Sequence, residues 1–260
     1  MAMPVSAKAG SPPGKPILRA RIGNLLKPAT KQISARPTDP LSVSLSYEIL
    51  RNGIGVLGLA LPIVLLVGGG LDDIQRSLSA YYHFSRAAPG QYGAGTMRDA
   101  FVGILCAIGA FLFFYRGHSL QEDLALNAAG ISVVLVALVP MEWPSYTVYA
   151  TTVAGKIHWI SATVFFIMIA YVCVFRARDT LCLMNDAGRR RIFERIYVVL
   201  GALMLATPAA IAAVGQMSSV RNGYATLVIE IAGIFVFSAF WLIKGFEIRS
   251  SLHLPARTAA

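Results

Sequence analysis

Five stretches of this chain run for 16 residues or more without a single Asp, Glu, Lys or Arg: Asn52–Leu71 (20 residues), Ala100–Tyr115 (16), Leu124–Met141 (18), Ile157–Phe175 (19) and Ile196–Val220 (25). A sixth, Asn222–Ile243, is broken only by Glu230. About 20 apolar residues in a helix cross roughly 30 Å of hydrocarbon, where backbone groups are satisfied only in helices or closed barrels. The runs lack the alternation of a barrel strand, so the spacing predicts an all-α integral membrane protein, a bundle of six transmembrane helices. Composition agrees: 56% of the residues are hydrophobic and 14% charged, more apolar surface than a water-soluble domain of 260 residues can hide.

The chain divides into three regions. Residues 1–46 carry seven Lys or Arg against one acid, Asp39, with frequent Pro and Ser, and are expected to form a disordered basic tail on anionic headgroups. Residues 47–248 form the transmembrane domain, and 249–260 a short C-terminal tail. No aromatic or motif pattern points to nucleic acid. With six spans both termini share a side, and that side holds 18 of the 23 Lys and Arg. Positive-inside bias makes it cytoplasmic. The run at Arg189–Arg191 reads as an anionic-lipid contact. Cys106, Cys173 and Cys182 form no pair facing outward, and no CxxC, P-loop or GxSxG pattern occurs. Gly68–Gly70 reads as a helix exit, and Pro208 and Pro62 as kinks in the fifth and first spans.

The polar residues that remain gather on the outward side. In LDDIQRSLSAYYH, Leu71, Ile74, Leu78 and Tyr81 recur at spacings of three and four, predicting a short amphipathic helix in the outer interface, with Ser79 and His83 on one face. Residues 87–96, rich in Gly, read as a loop or lid. Asp99 heads a stripe of small residues, Gly103, Cys106, Ala107 and Ala110, expected to pack inward. His158 opens the fourth span. His nitrogens and carboxylates are zinc donors, so His83, Asp99 and His158 are candidate ligands of a Zn2+ ion. Glu142 is then a fourth ligand or general base, and Arg98, Tyr81 or Ser79 the holder of an oxyanion or lipid phosphate. Glu230, well inside the last span, needs a partner, a cavity or neutralisation. The plainer reading makes Tyr81, Tyr82, Trp143 and Trp159 an interfacial belt and the charges span boundaries.

The pattern of Ser79, His83, Asp99 and His158 resembles the membrane-hydrolase superfamily of alkaline ceramidases and adiponectin/progestin-type receptors. That resemblance implies a zinc ion, held by the matching residues, that hydrolyses lipid amides. The chain departs from it in having six spans where those proteins have seven, and Ala162 where their last motif has a second His. Over most of residues 48–246, from SLSAYYH through MRDAFVGILCAIGAFLFFYRG to the span of His158, it is similar to a bacterial group of six-span membrane proteins. This implies six helices and a bacterial inner membrane, with no activity attached. Three functions stay open: a zinc-dependent lipid hydrolase at the outer leaflet, a proton- or solute-coupled transporter or sensor built on Glu230, and a non-enzymatic membrane-organising protein.

Overall fold

The structure is a computed structural model, and it describes residues 40–84, 95–143, 152–183, 186–216 and 223–252. Met1–Val43 and Ser44–Ala260 are separate units, and the helical bundle belongs to the second. The expected lid and nearly all of the expected N-terminal tail lie outside the described residues.

The helices are α1 (Pro40–Gly69), α2 (Thr96–Phe114), α3 (Leu120–Leu138), α4 (Val153–Tyr171), α5 (Ala187–Gln216) and α6 (Ala225–Leu252). Among the described residues, six helices are long and apolar enough to cross a membrane. All but α4, which equals its run at 19 residues, exceed their charge-free runs, because charged residues at a helix end reach the interface cheaply. Pro62 and Pro208 lie inside continuous α1 and α5. α1 ends where Gly70 takes a left-handed φ of 92°, which only Gly adopts at no cost.

Burial is inverted relative to a soluble domain. Ile49, Val67, Leu71 and Phe114 are largely exposed, whereas Arg51, Glu122, His158, Lys244 and Glu247 are buried. An apolar exterior around a partly polar interior is what a hydrocarbon solvent selects. Close packing relies on glycine. A Cβ on Gly130 would stand 2.7 Å from the Gly109 carbonyl, which brings α2 against α3. One on Gly58 would stand 2.3 Å from Ser238 Oγ, which brings α1 against α6.

Two expectations are revised. The small-residue stripe of α2 lies at the edge of the packed face: Gly103 and Ala110 are exposed, Cys106 and Ala107 are half-buried, and a Cβ on Gly103 would meet nothing within 4 Å. Phe101, Leu105, Ile108 and Leu112 turn inward instead, because burying bulky apolar side chains fills the interior where small ones would leave voids. Cys106, Gly109 and Ala110 consequently line a shallow apolar groove of about 260 Å³ with residues of α3. The amphipathic helix of the first loop is realised as a single 3-10 turn, Ser79–Tyr82. It lies within the bundle, with Ser77, Leu78, Ala80 and Tyr81 at 4% exposure or less, while Leu71 is 70% exposed.

The contacts fix which helix ends are neighbours. Ser79 follows α1 and meets the start of α4, and Ser77 meets the start of α6. At the opposite end Arg51, in the first half of α1, meets Tyr115, the residue that follows α2. The helices therefore alternate in direction, and the bundle has a Ser79 end and an Arg51 end.

Candidate functional site

The Ser79 end is organised around the buried turn. Carbonyl and amide groups at membrane depth survive only when protein satisfies them. Here Glu230, in the second turn of α6, does so. Its carboxylate accepts from Ser77 Oγ at 2.8 and 2.9 Å and from the Leu78 N–H at 2.5 Å. Ser77 Oγ in turn accepts from the Ser79 N–H at 3.1 Å. Glu230 is thus the anchor of the loop, and Ser77, which sequence reasoning misses, is the link between that anchor and Ser79. Its only signal in the sequence is a second Ser two residues before Ser79.

Ser79 projects its hydroxyl to α4. Its Oγ lies 3.1 Å from His158 Nε2, and His158 Nδ1 lies 2.8 Å from the Val139 carbonyl at the end of α3. A carbonyl only accepts, so in the neutral ring Nδ1 carries the proton and Nε2 is the acceptor. The hydroxyl of Ser79 therefore donates to Nε2. His158 is 7% exposed, with its tautomer and ring plane fixed by Val139. A hydroxyl donating to an imidazole whose far nitrogen is pinned is the minimal arrangement for activating a nucleophile.

His83 comes to the same neighbourhood by another route. Its Nε2 is 3.2 Å from the Met141 carbonyl and donates to it, and its ring stacks on Trp143 with centroids 4.9 Å apart. Tyr82 packs edge-on against His83 at 5.2 Å, and the exposed Arg98 guanidinium lies 5.5 Å from the Tyr82 ring centroid. Tyr81 is fully buried, its hydroxyl accepting from the Gln75 N–H at 3.4 Å. Burial pushes that hydroxyl above its ordinary value of 10.0, so Tyr81 stays a neutral phenol in the core and is no member of an interfacial belt. Trp143 and Trp159, each 50% exposed, fit that belt.

Ser79, His83, His158, Tyr82 and Arg98 are therefore brought together about the segment that leaves α3. Asp99 is not among them: it is exposed in the first turn of α2, at the head of the small-residue stripe. Glu142 accepts from the Thr152 N–H at 3.0 Å and from Thr152 Oγ1 at 2.6 Å, and Thr152 Oγ1 caps α4 by accepting from the Gly155 N–H at 3.0 Å. Glu142 braces the start of the helix that carries His158. Both ring nitrogens of His158 and one of His83 are committed to protein atoms, and among the described residues no three His, Cys, Asp or Glu side chains are grouped as metal ligands. The side chains as placed do not form the expected zinc donor set.

The Arg51 end holds a second polar cluster. After Tyr171, α4 widens into a π turn (Val172–Arg176) and tightens into a 3-10 stretch (Ala177–Leu183). This break in the helical ladder frees the Ala177 carbonyl. Lys244 Nζ donates to it at 2.8 Å, to Thr180 Oγ1, and to Glu247 Oε2 at 3.0 Å. Thr180 Oγ1 donates to Glu247 Oε1 at 2.7 Å, and Tyr197 donates to Glu247 Oε2. The signal is legible in Lys244 and Glu247, which are i and i+3 on one helix face.

Compared with known proteins, the chain matches no family model, no curated protein and no solved structure, so its own geometry carries the functional reading.

Proposed function

We propose that this multi-pass membrane protein is a hydrolase of lipid acyl groups, with Ser79 as nucleophile and His158 as general base. The observation that carries the reading is the hydrogen bond from Ser79 Oγ to His158 Nε2, 3.1 Å, on an imidazole held at Nδ1 by Val139. In the first step Nε2 takes the Ser79 proton as Oγ bonds to the acyl carbon. The bond from that carbon to the leaving alcohol or amine then breaks, and His158 returns the proton to the leaving group. Water attacks the acyl-Ser79 ester with Nε2 again as base, releasing the fatty acid and restoring the serine hydroxyl. Glu230 and Ser77 position the backbone of Ser79, and Arg98 offers a positive charge at the rim for a lipid phosphate.

The resemblance in Ser79 and His158 to lipid-amide hydrolases supports the substrate class, and positive-inside counting assigns the chemistry to the outer leaflet. Treatment of the purified protein in detergent with a fluorophosphonate tests the nucleophile. The expected result is a covalent adduct on the peptide containing Ser79, absent from Ser79→Ala and sharply reduced in His158→Ala. A wild-type protein that takes up no adduct, or takes it up on another residue, overturns the reading.

A further inference from the structure

Buried at the Arg51 end is a cation with no counter-charge bonded to it among the described residues. Arg51 is 2% exposed, and its hydrogen bonds there go to one neutral group: Nε donates to Tyr115 Oη at 2.7 Å, and Nη2 donates to the same oxygen. Its third nitrogen, Nη1, is buried without a partner. Trp241, also 2% exposed, leaves its Nε1 buried without a partner as well. Both groups pack on one ring, the Arg51 guanidinium carbon 5.3 Å and the Trp241 ring 5.4 Å from the Tyr115 centroid. The nearby acids are engaged elsewhere. Glu247 serves Lys244, Thr180 and Tyr197, and Glu122 accepts from the His118 N–H at 2.7 Å. A buried guanidinium hydrogen-bonded to a phenol rather than a carboxylate is costly, and leaving buried N–H donors on Arg51 and Trp241 unmet adds to that cost.

We propose that Arg51 and Trp241 form a binding site for a phosphate group, supplied by a lipid headgroup or a soluble phosphate. An oxyanion completes the charge of Arg51 through the free Nη1 and accepts from the indole N–H, a charge-assisted pair of the kind guanidinium forms best. By the count of spans, 18 of the chain's 23 Lys and Arg fall on this same side, which concentrates anions there. The inference is independent of Ser79 and His158.

The chain has three Trp residues, so Trp143→Phe with Trp159→Phe leaves Trp241 as the sole indole. Its emission in detergent is titrated with inorganic phosphate and with a short-chain phosphatidic acid, against chloride at matched ionic strength. A saturable change with either phosphate probe, lost in Arg51→Gln and weakened in Arg51→Lys, is expected. A response to both probes assigns the site to phosphate in general, and a response to the lipid alone assigns it to a headgroup. Thermal unfolding gives a second arm that spares Arg51: the saturating probe should raise the midpoint of the wild type but not that of Trp241→Phe, which removes the N–H donor and keeps an aromatic ring. The proposal is overturned by no saturable change with either probe, by an equal response to chloride, or by equal stabilisation of wild type and Trp241→Phe.

Discussion

At the scale of single residues, the buried charges make the sharpest predictions. Lys244 and Glu247 form an ion pair of 3.0 Å at 4% and 1% side-chain exposure. Removing one partner leaves the other charge buried alone. Lys244→Met should therefore lower stability by about 3–5 kcal/mol, while Lys244→Met with Glu247→Leu should cost much less. Reversible unfolding in mixed detergent micelles measures both. Should the double variant be as unstable as the single one, Thr180 and Tyr197 rather than the ion pair hold this end together. At the other end His158→Ala removes the proposed base, and the proposed chemistry predicts a rate about 10²–10⁴-fold lower with folding intact. A His158→Gln variant that keeps full activity would remove His158 from the chemistry.

The elements show what sequence periodicity resolves and what it does not. Charge-poor length together with the lack of strand alternation locates all six helices, because hydrocarbon admits only helices and closed barrels. Which face of each helix points inward is less legible. Small residues mark close approach, yet α2 carries two such sets, and the glycine that approaches α3 is Gly109, outside the stripe headed by Asp99. A Cβ placed on Gly130 meets the Gly109 carbonyl, which cannot swing aside, so Gly130→Ala should destabilise by about 1–3 kcal/mol through overpacking. Gly103→Ala, facing open space, should be near neutral in the same unfolding assay. Equal effects at the two positions would contradict the α2–α3 packing.

The first loop departs from its sequence pattern for a related reason. Spacings of three and four in LDDIQRSLSAYYH fit an interfacial helix, but a carboxylate 152 residues away accepts from the Leu78 N–H and draws the turn into the bundle. A contact of that sequence separation leaves no local trace. Glu230→Leu should release the turn, costing about 1–3 kcal/mol for the unmet Ser77 and Leu78 donors and exposing the segment to protease. Glu230→Gln, which keeps an acceptor, should do much less damage. Unchanged proteolysis in Glu230→Leu would show that Leu78 and Tyr81 packing alone holds the loop.

For the whole molecule, six helices of alternating direction place both ends of the described domain on one side of the membrane. Reporter fusions after Leu183 and Leu252 should share one side, and a fusion after Tyr82 should lie on the other. Residue types alone locate the Ser79 end as the place where chemistry-bearing side chains collect. They cannot show that His158 turns to Ser79 while Asp99 turns away, since that depends on the rotation of each helix about its axis. The central claim is that the Ser79 hydroxyl, aligned by His158, attacks lipid acyl groups. Its most direct test is fatty-acid release from vesicles holding ester- and amide-linked lipids, measured by mass spectrometry for purified wild type and Ser79→Ala. Release by the wild type and its loss in Ser79→Ala are expected. Release that persists in Ser79→Ala, or its absence with both lipid classes in the wild type, would contradict it.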